Sequence, residues 1–98
     1  MLDDGTETHF SNMDFSGLDL SGFDFSERTI ASSNFSNCSL KKASMSFASM
    51  VGCDMRQSDC TAVSFFGADL SKADLASAVT KDASFKNAKL DGIKGHKA

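Results

Sequence analysis

The chain contains no proline, no tryptophan and no tyrosine. Without proline, its turns must be made by Ser, Gly and Asn. No apolar run is long enough to cross a membrane. The opening Met1-Leu2-Asp3-Asp4 does not resemble a secretory signal, so a cytoplasmic location is the default expectation. There is no glycine-rich phosphate loop and no nucleophile elbow. His9 and His96 stand near opposite termini, without the spaced partners of a zinc site. These absences argue against an enzyme and imply no cofactor and no metal.

What the chain does have is a period of five. Every fifth position from 10 to 90 reads Phe10, Phe15, Leu20, Phe25, Ile30, Phe35, Leu40, Met45, Met50, Met55, Cys60, Phe65, Leu70, Leu75, Thr80, Phe85, Leu90. Sixteen of these seventeen are apolar in a chain that is 41% hydrophobic, where chance would fill about seven. Five suits neither a 3.6-residue helix nor a long alternating strand. It suits short extended sides joined by corners. The residue two before each large centre shares its inward face. From Ser33 to Ala88 that position is small at eleven of twelve sites, the exception being Val63. The unit is plainest in Ala68-Asp69-Leu70-Ser71-Lys72, followed at once by Ala73-Asp74-Leu75-Ala76-Ser77.

This pattern resembles the pentapeptide-repeat family, whose units read Ala-Asp/Asn-Leu-x-x, over about residues 10–92. The resemblance implies an all-β fold: a right-handed quadrilateral parallel β-helix, a solenoid of about four coils with four pentapeptides per coil. Residues 1–9 are then an N-terminal lead-in or cap, and 93–98 a basic, frayed C-terminal tail in which Ile93 folds over the opening. At about 4.8 Å per coil the rod is about 20 Å long.

Stacking at intervals of twenty makes further expectations specific. Phe15 should lie under Phe35, Phe65 under Phe85 and Leu20 under Leu40. Cys38, Cys53 and Cys60 fall at inward positions with none above another, which reads as buried thiols. Met45, Met50 and Met55 are core filler. Met13, Leu18, Phe23 and Arg28 replace the small residue in the first coil and should plug its open end, Arg28 reaching the lower edge or Glu27. Thr80, beside Val79, is the one failed centre and suggests a bulge or register slip. The serines are expected to hydrogen-bond the backbone at turns.

Charge is unevenly spread. Residues 1–40 hold seven acidic residues against Arg28 alone, and residues 41–98 hold nine Lys/Arg against six Asp, within a net charge of −3. The residue before each centre points outward. One outward stack reads Asp14, Asn34, Asp54, Asp74, and the next Asp19, Ser39, Asp59. Duplex DNA carries about one charge per 1.7 Å, so two coils span about six phosphates, a density that the acidic N-terminal half matches. The family resemblance implies acidic DNA mimics directed at DNA gyrase. A short acidic inhibitor also resembles phage proteins that disarm host defences, anti-CRISPR proteins included, which would act in the host cytosol. The first expectation is therefore a non-enzymatic inhibitor occupying the basic nucleic-acid-binding groove of a protein target, a CRISPR effector complex or gyrase-like enzyme, without binding nucleic acid itself. Its contact residues would be Asp14, Asp19, Asp24, Glu27, Asp54, Asp59 and Asp74. The alternative is a scaffold or adaptor that uses an apolar corner of Phe47, Phe66 and Val51. Either could be a monomer or an end-to-end dimer.

Overall fold

A five-residue unit has five backbone amides to satisfy. In the computed structural model, which describes residues 11–95, the unit beginning at Phe15 shows where they go. The Phe15 amide donates to the Asn34 carbonyl (2.8 Å) and the Gly17 amide to Ser36 (3.0 Å), both on the next coil. The Leu18 amide turns back to the Phe15 carbonyl (3.2 Å) and closes the corner. The bridging residue donates to the coil behind it, as Ser39 does to Leu18 (3.0 Å). The remaining amide, that of Ser16, is taken by Oδ1 of Asp14 (3.0 Å).

Each corner has a positive φ at its third residue, from Asn12 (62°) and Gly17 (75°) to Asn87 (61°) and Gly92 (70°). A closing hydrogen bond with positive φ there is the geometry of a type II turn. Repetition builds four parallel ladders, such as Asp14–Asn34–Asp54–Asp74–Lys94 and Asp19–Ser39–Asp59–Val79. Every pairing is a single-residue bridge. The sides are therefore β in hydrogen bonding but too short, between consecutive turns, to form extended strands.

The interior follows the period. The centres from Phe15 to Leu75 are buried, each at most 1% exposed. Phe15 lies on Phe35 with ring centroids 4.9 Å apart, and Phe65 on Phe85 at 5.0 Å. Fully burying side chains of this size contributes about 1.5–3 kcal/mol each. The three thiols are buried and free. Cys38 donates to the Phe15 carbonyl and Cys53 to that of Ile30. Burial pushes the Cys53 thiol up to about 12 and that of Cys60 to about 11.

Several expectations need correction. Thr80 causes no bulge: the Cys60 amide still reaches the Val79 carbonyl (2.7 Å), and the bridge from Ser64 to Ser84 keeps its register. The ladder is made of backbone, so one poor side chain does not shift it. Ile93 does not fold across the opening. It takes the next small inward position, packs on the core, and leads into the bridge from Asp74 to Lys94. The coil thus runs two residues beyond 92. Met13, Leu18 and Phe23 cover the first centres, with the Phe23 ring 6.0 Å from that of Phe25, yet stay 40%, 42% and 37% exposed themselves. Arg28 is half-buried, and its charge acts on Asp24. The lead-in at 1–9, Phe10, His9 and His96 lie outside the described residues.

Candidate partner-binding surface

The outward aspartates belong first to the backbone. Oδ1 of the bridging Asp accepts the amide two residues on at Asp14, Asp19, Asp24, Asp54, Asp59, Asp69 and Asp74, all within 2.9–3.1 Å. Hydroxyls add a second bond: Ser16 donates to Asp14 (2.7 Å), Thr61 to Asp59 (2.6 Å) and Ser71 to Asp69 (2.6 Å). The turn hydroxyls were expected on the backbone. Ser58 does so, donating to the Met55 carbonyl (2.7 Å), and Ser33 accepts the Met13 amide (3.1 Å), whereas others bond these carboxylates or a serine of the next coil, as Ser21 with Ser39 (2.9 Å) and Ser26 with Ser44 (2.6 Å). Such local side-chain-to-backbone bonds are what Asp does in turns.

This geometry also keeps the carboxylates charged. The Ser16 side chain, then its amide, holds Asp14 below the ordinary 3.8. Ser21 acts likewise on Asp19 and Ser26 on Asp24. Asn34 meets the same need without a charge, accepting the Ser36 amide at 2.8 Å. An uncharged acceptor at this position closes the corner as the carboxylates do, so an anion is not required.

The seven expected contact residues do not form two uniform acidic ladders. Arg56 grips Asp54 through two bonds, Nε to Oδ1 (2.9 Å) and Nη2 to Oδ2 (2.8 Å). Lys41 stands 3.6 Å from Asp59. Asp74 adds to the negative surroundings of Arg56. Asp14, Asp19, Asp24 and Glu27 make no salt bridge among the described residues. They occupy three successive sides of the first coil and the corner after them. The exposed acidity is thus a collar around one end. Asp3, Asp4 and Glu7, which entered the expected charge density, lie outside the described residues. Sequence reasoning missed Arg56 and Lys41 as neutralising partners. The signal was present in Asp54-Met55-Arg56, the same two-residue step that joins Asp14 to Ser16.

Phe47 is 57% exposed, the most open large apolar residue described, and Phe66 is half-buried beside it. Their rings meet edge to face at 5.4 Å. A Cβ on Gly67 would fall 2.6 Å from the Phe47 ring, so glycine lets the ring lie where it does. Phe47 itself sits at φ +60°, a left-handed conformation costly for a bulky residue. Val51, on the next corner, is half-buried.

No group of three or more metal-ligating side chains occurs among the described residues, and no helix there is long and apolar enough to cross a membrane.

Comparison with known proteins accords with this geometry. The solved structure of HetL, a pentapeptide repeat protein involved in heterocyst differentiation regulation in the cyanobacterium Nostoc sp. strain PCC 7120, superposes with a TM-score of 0.87 at 22% identity. The match covers 92% of this chain and 42% of HetL, so the chain spans less than half of that protein's length. Rfr23 from the cyanobacterium Cyanothece 51142 matches at 15% identity and a TM-score of 0.46, over 88% of this chain and 86% of its own. A pentapeptide repeat protein of the Arabidopsis thaliana thylakoid lumen matches at 27% identity and a TM-score of 0.41, over 90% of this chain and 66% of its own. No curated protein matches at the level of sequence. The family model for pentapeptide repeats (8 copies) covers residues 24–57 and 58–94. The chain therefore belongs to the pentapeptide-repeat family, whose members form right-handed quadrilateral β-helices.

Proposed function

We propose that this protein is a non-enzymatic inhibitor that occupies the basic nucleic-acid-binding groove of a cytoplasmic protein target by imitating DNA charge. The observation that carries this reading is the choice of aspartate three times running in the first coil. Asn34 shows that an uncharged side chain closes the same corner, so the charge at Asp14, Asp19 and Asp24 is surplus to the fold. Held ionised and backed by Glu27, these groups present fixed anions to Lys/Arg side chains that otherwise grip phosphates. Asp74 adds to them along one face, and Asp54 and Asp59 contribute once Arg56 and Lys41 are displaced. The target classes that suit this chemistry are a gyrase-like topoisomerase and a CRISPR effector complex.

The test is the triple variant Asp14→Asn/Asp19→Asn/Asp24→Asn, which keeps every turn acceptor and removes three charges. Inhibition of DNA supercoiling by gyrase, or of target-DNA binding by the effector complex, should be seen with the native chain and fade in high salt. It should fall at least tenfold in the variant. Equal inhibition by a folded triple variant would remove the proposal.

A second reading rests on Phe47. An exposed aromatic ring at a strained backbone position, where the repeat elsewhere carries Gly, Ala or a polar residue, contributes little to the interior. As an adaptor surface, Phe47, Phe66 and Val51 would give salt-insensitive binding. Phe47→Gly relieves the backbone strain and should leave stability unchanged or up to about 1 kcal/mol higher. The same change should cost any partner that uses the corner most of its affinity. A partner retained unchanged by Phe47→Gly with Phe66→Ser is not bound there.

A further inference from the structure

The two ends of the coil differ in three independent ways, and each difference is the complement of the other end. The first is backbone polarity. Among the described residues, the first coil leaves the carbonyls of Asp14, Asp19 and Asp24 and those of Ser16, Ser21 and Ser26 without a donor. The last coil leaves the amides of Thr80, Asp82, Asn87, Leu90 and Gly92 without an acceptor. Inside the molecule these same kinds of group pair from coil to coil, as Phe15 does with Asn34 and Gly17 with Ser36.

The second difference is charge. The N-terminal end carries Asp14, Asp19, Asp24 and Glu27 against Arg28, whereas the stretch from residue 76 to 95 carries Lys81, Lys86, Lys89 and Lys94 against Asp82 and Asp91. The third is apolar exposure. Met13, Leu18 and Phe23 stand 37–42% exposed at one end, while Phe85 and Leu90 stay half-buried at the other, where the interior centres are closed.

We propose that the N-terminal end of one copy stacks on the C-terminal end of a second copy, continuing the coil head to tail. In this junction the carbonyls of the first coil that lack a donor among the described residues take the amides of the last that lack an acceptor there, carboxylates face lysines, and Met13, Leu18 and Phe23 cover the half-open centres. Lys94 has already begun the next coil on one side, and the second copy supplies the remaining sides. The alternative two-fold junctions are disfavoured by the same groups: joining like ends sets lysines against lysines or carboxylates against carboxylates. A head-to-tail contact does not close on itself, so it produces open chains of copies with no preferred size. The transverse extents of 24 and 22 Å limit the contact. A face of that size buries on the order of 500 Å² per partner, below the ~800 Å² of a standard interface, so assembly is weak and concentration-dependent. This inference concerns self-association and does not rest on the target-binding reading, although both use the first-coil carboxylates, so assembly and target binding would compete for them.

Sedimentation velocity of the 98-residue chain, from about 10 µM to about 1 mM, tests it by mass action. The mean mass should climb past that of a dimer without a plateau, and should fall back when salt is raised from about 50 to about 500 mM. Two variants define the ends. Leu18→Asp/Phe23→Asp blocks the first coil, and Lys81→Glu/Lys86→Glu blocks the last. Each alone should stay monomeric; mixed in equal amounts they should form a one-to-one pair, since each retains the end that the other lacks. If the first variant proves unfolded by circular dichroism, Asp19→Asn/Asp24→Asn replaces it and should weaken assembly severalfold. A native chain that stays monomeric throughout overturns the proposal. So does a dimer that either end-blocked variant still forms alone, because that marks a two-fold junction.

Discussion

The first and last coils share one plan and treat their interiors differently. In the first, Phe15, Leu20 and Phe25 are as buried as any central residue, although they belong to the end coil. In the last, Thr80, Phe85 and Leu90 remain half-buried. Among the described residues, one difference lies two residues upstream. The first coil places Met13, Leu18 and Phe23 where the last places Ala78, Ala83 and Ala88. A large side chain at the small position covers a centre as a neighbouring coil would, at the expense of its own exposure. Burial in a solenoid is therefore a property of the stack, and an end must either import bulk or stay open.

The largest effect should come from comparing identical deletions inside the stack and at its open end. Phe35→Ala removes a ring packed against both Phe15 and Phe25. It should cost about 3–5 kcal/mol in denaturant unfolding. Phe85→Ala removes the same atoms from the half-open coil and should cost less than half as much. Equal losses would mean that the last coil is covered in solution, as it would be within a head-to-tail assembly, so the pair of measurements is best made at low concentration.

A smaller effect should separate the two coils at their corners. Each bridging Asp of the first coil accepts an amide two residues on, but Val79 offers nothing to the amide of Lys81 and is itself 49% exposed. Val79→Asn supplies the missing acceptor and should stabilise the chain by about 0.5–1.5 kcal/mol. A loss of stability would show that the aspartates of the first coil are not there for their turns.

The corners mark the limit of what could be read in the residues alone. The interior was legible because a centre at every fifth position admits no alternative face: Phe15 on Phe35, Phe65 on Phe85 and the buried thiols all follow from counting. The meeting of Phe47 with Phe66, nineteen apart, followed from the same arithmetic. The outside was less legible. Reading outward residues as stacks twenty apart hid the two-residue step across each corner. That step pairs Arg56 with Asp54 and gives every bridging Asp a structural duty. Thr80 misled for the opposite reason. A poor centre looks like a fault in the pattern, but the pattern is held by backbone bonds that Thr80 leaves intact. The left-handed backbone of Phe47 left no trace in composition, because the corner accepts Ser, Lys, Gln, Ala and Asp with the same sign of φ.

The smallest effects should appear as opposite pH limits with different owners. Asp14, Asp19 and Asp24, with Asp54, Asp59 and Asp69, are all held below the ordinary carboxylate value of 3.8, chiefly by side-chain hydrogen bonds across the corner. Below 3.8 the unfolded chain takes up protons that the folded chain still refuses. The stability these groups contribute is therefore complete above that pH and drains away as the pH falls through the native values. Asp14→Asn/Asp19→Asn/Asp24→Asn should flatten this acid limb, because the acceptor remains and the titration does not. The thiols act in the other direction. Cys53 and Cys60 hold their protons to about 12 and about 11 when folded, against 9.0 when free, so stability should decline as pH rises above 9. Cys53→Ala, at a position where the repeat elsewhere carries Ala, should remove part of the alkaline decline and leave the acid limb untouched. Denaturation midpoints measured across both ranges check the assignment. An acid limb that persists in the triple variant would move its origin away from the first coil. The corner bonds at Asp54, Asp59 and Asp69 would then be the ones that matter.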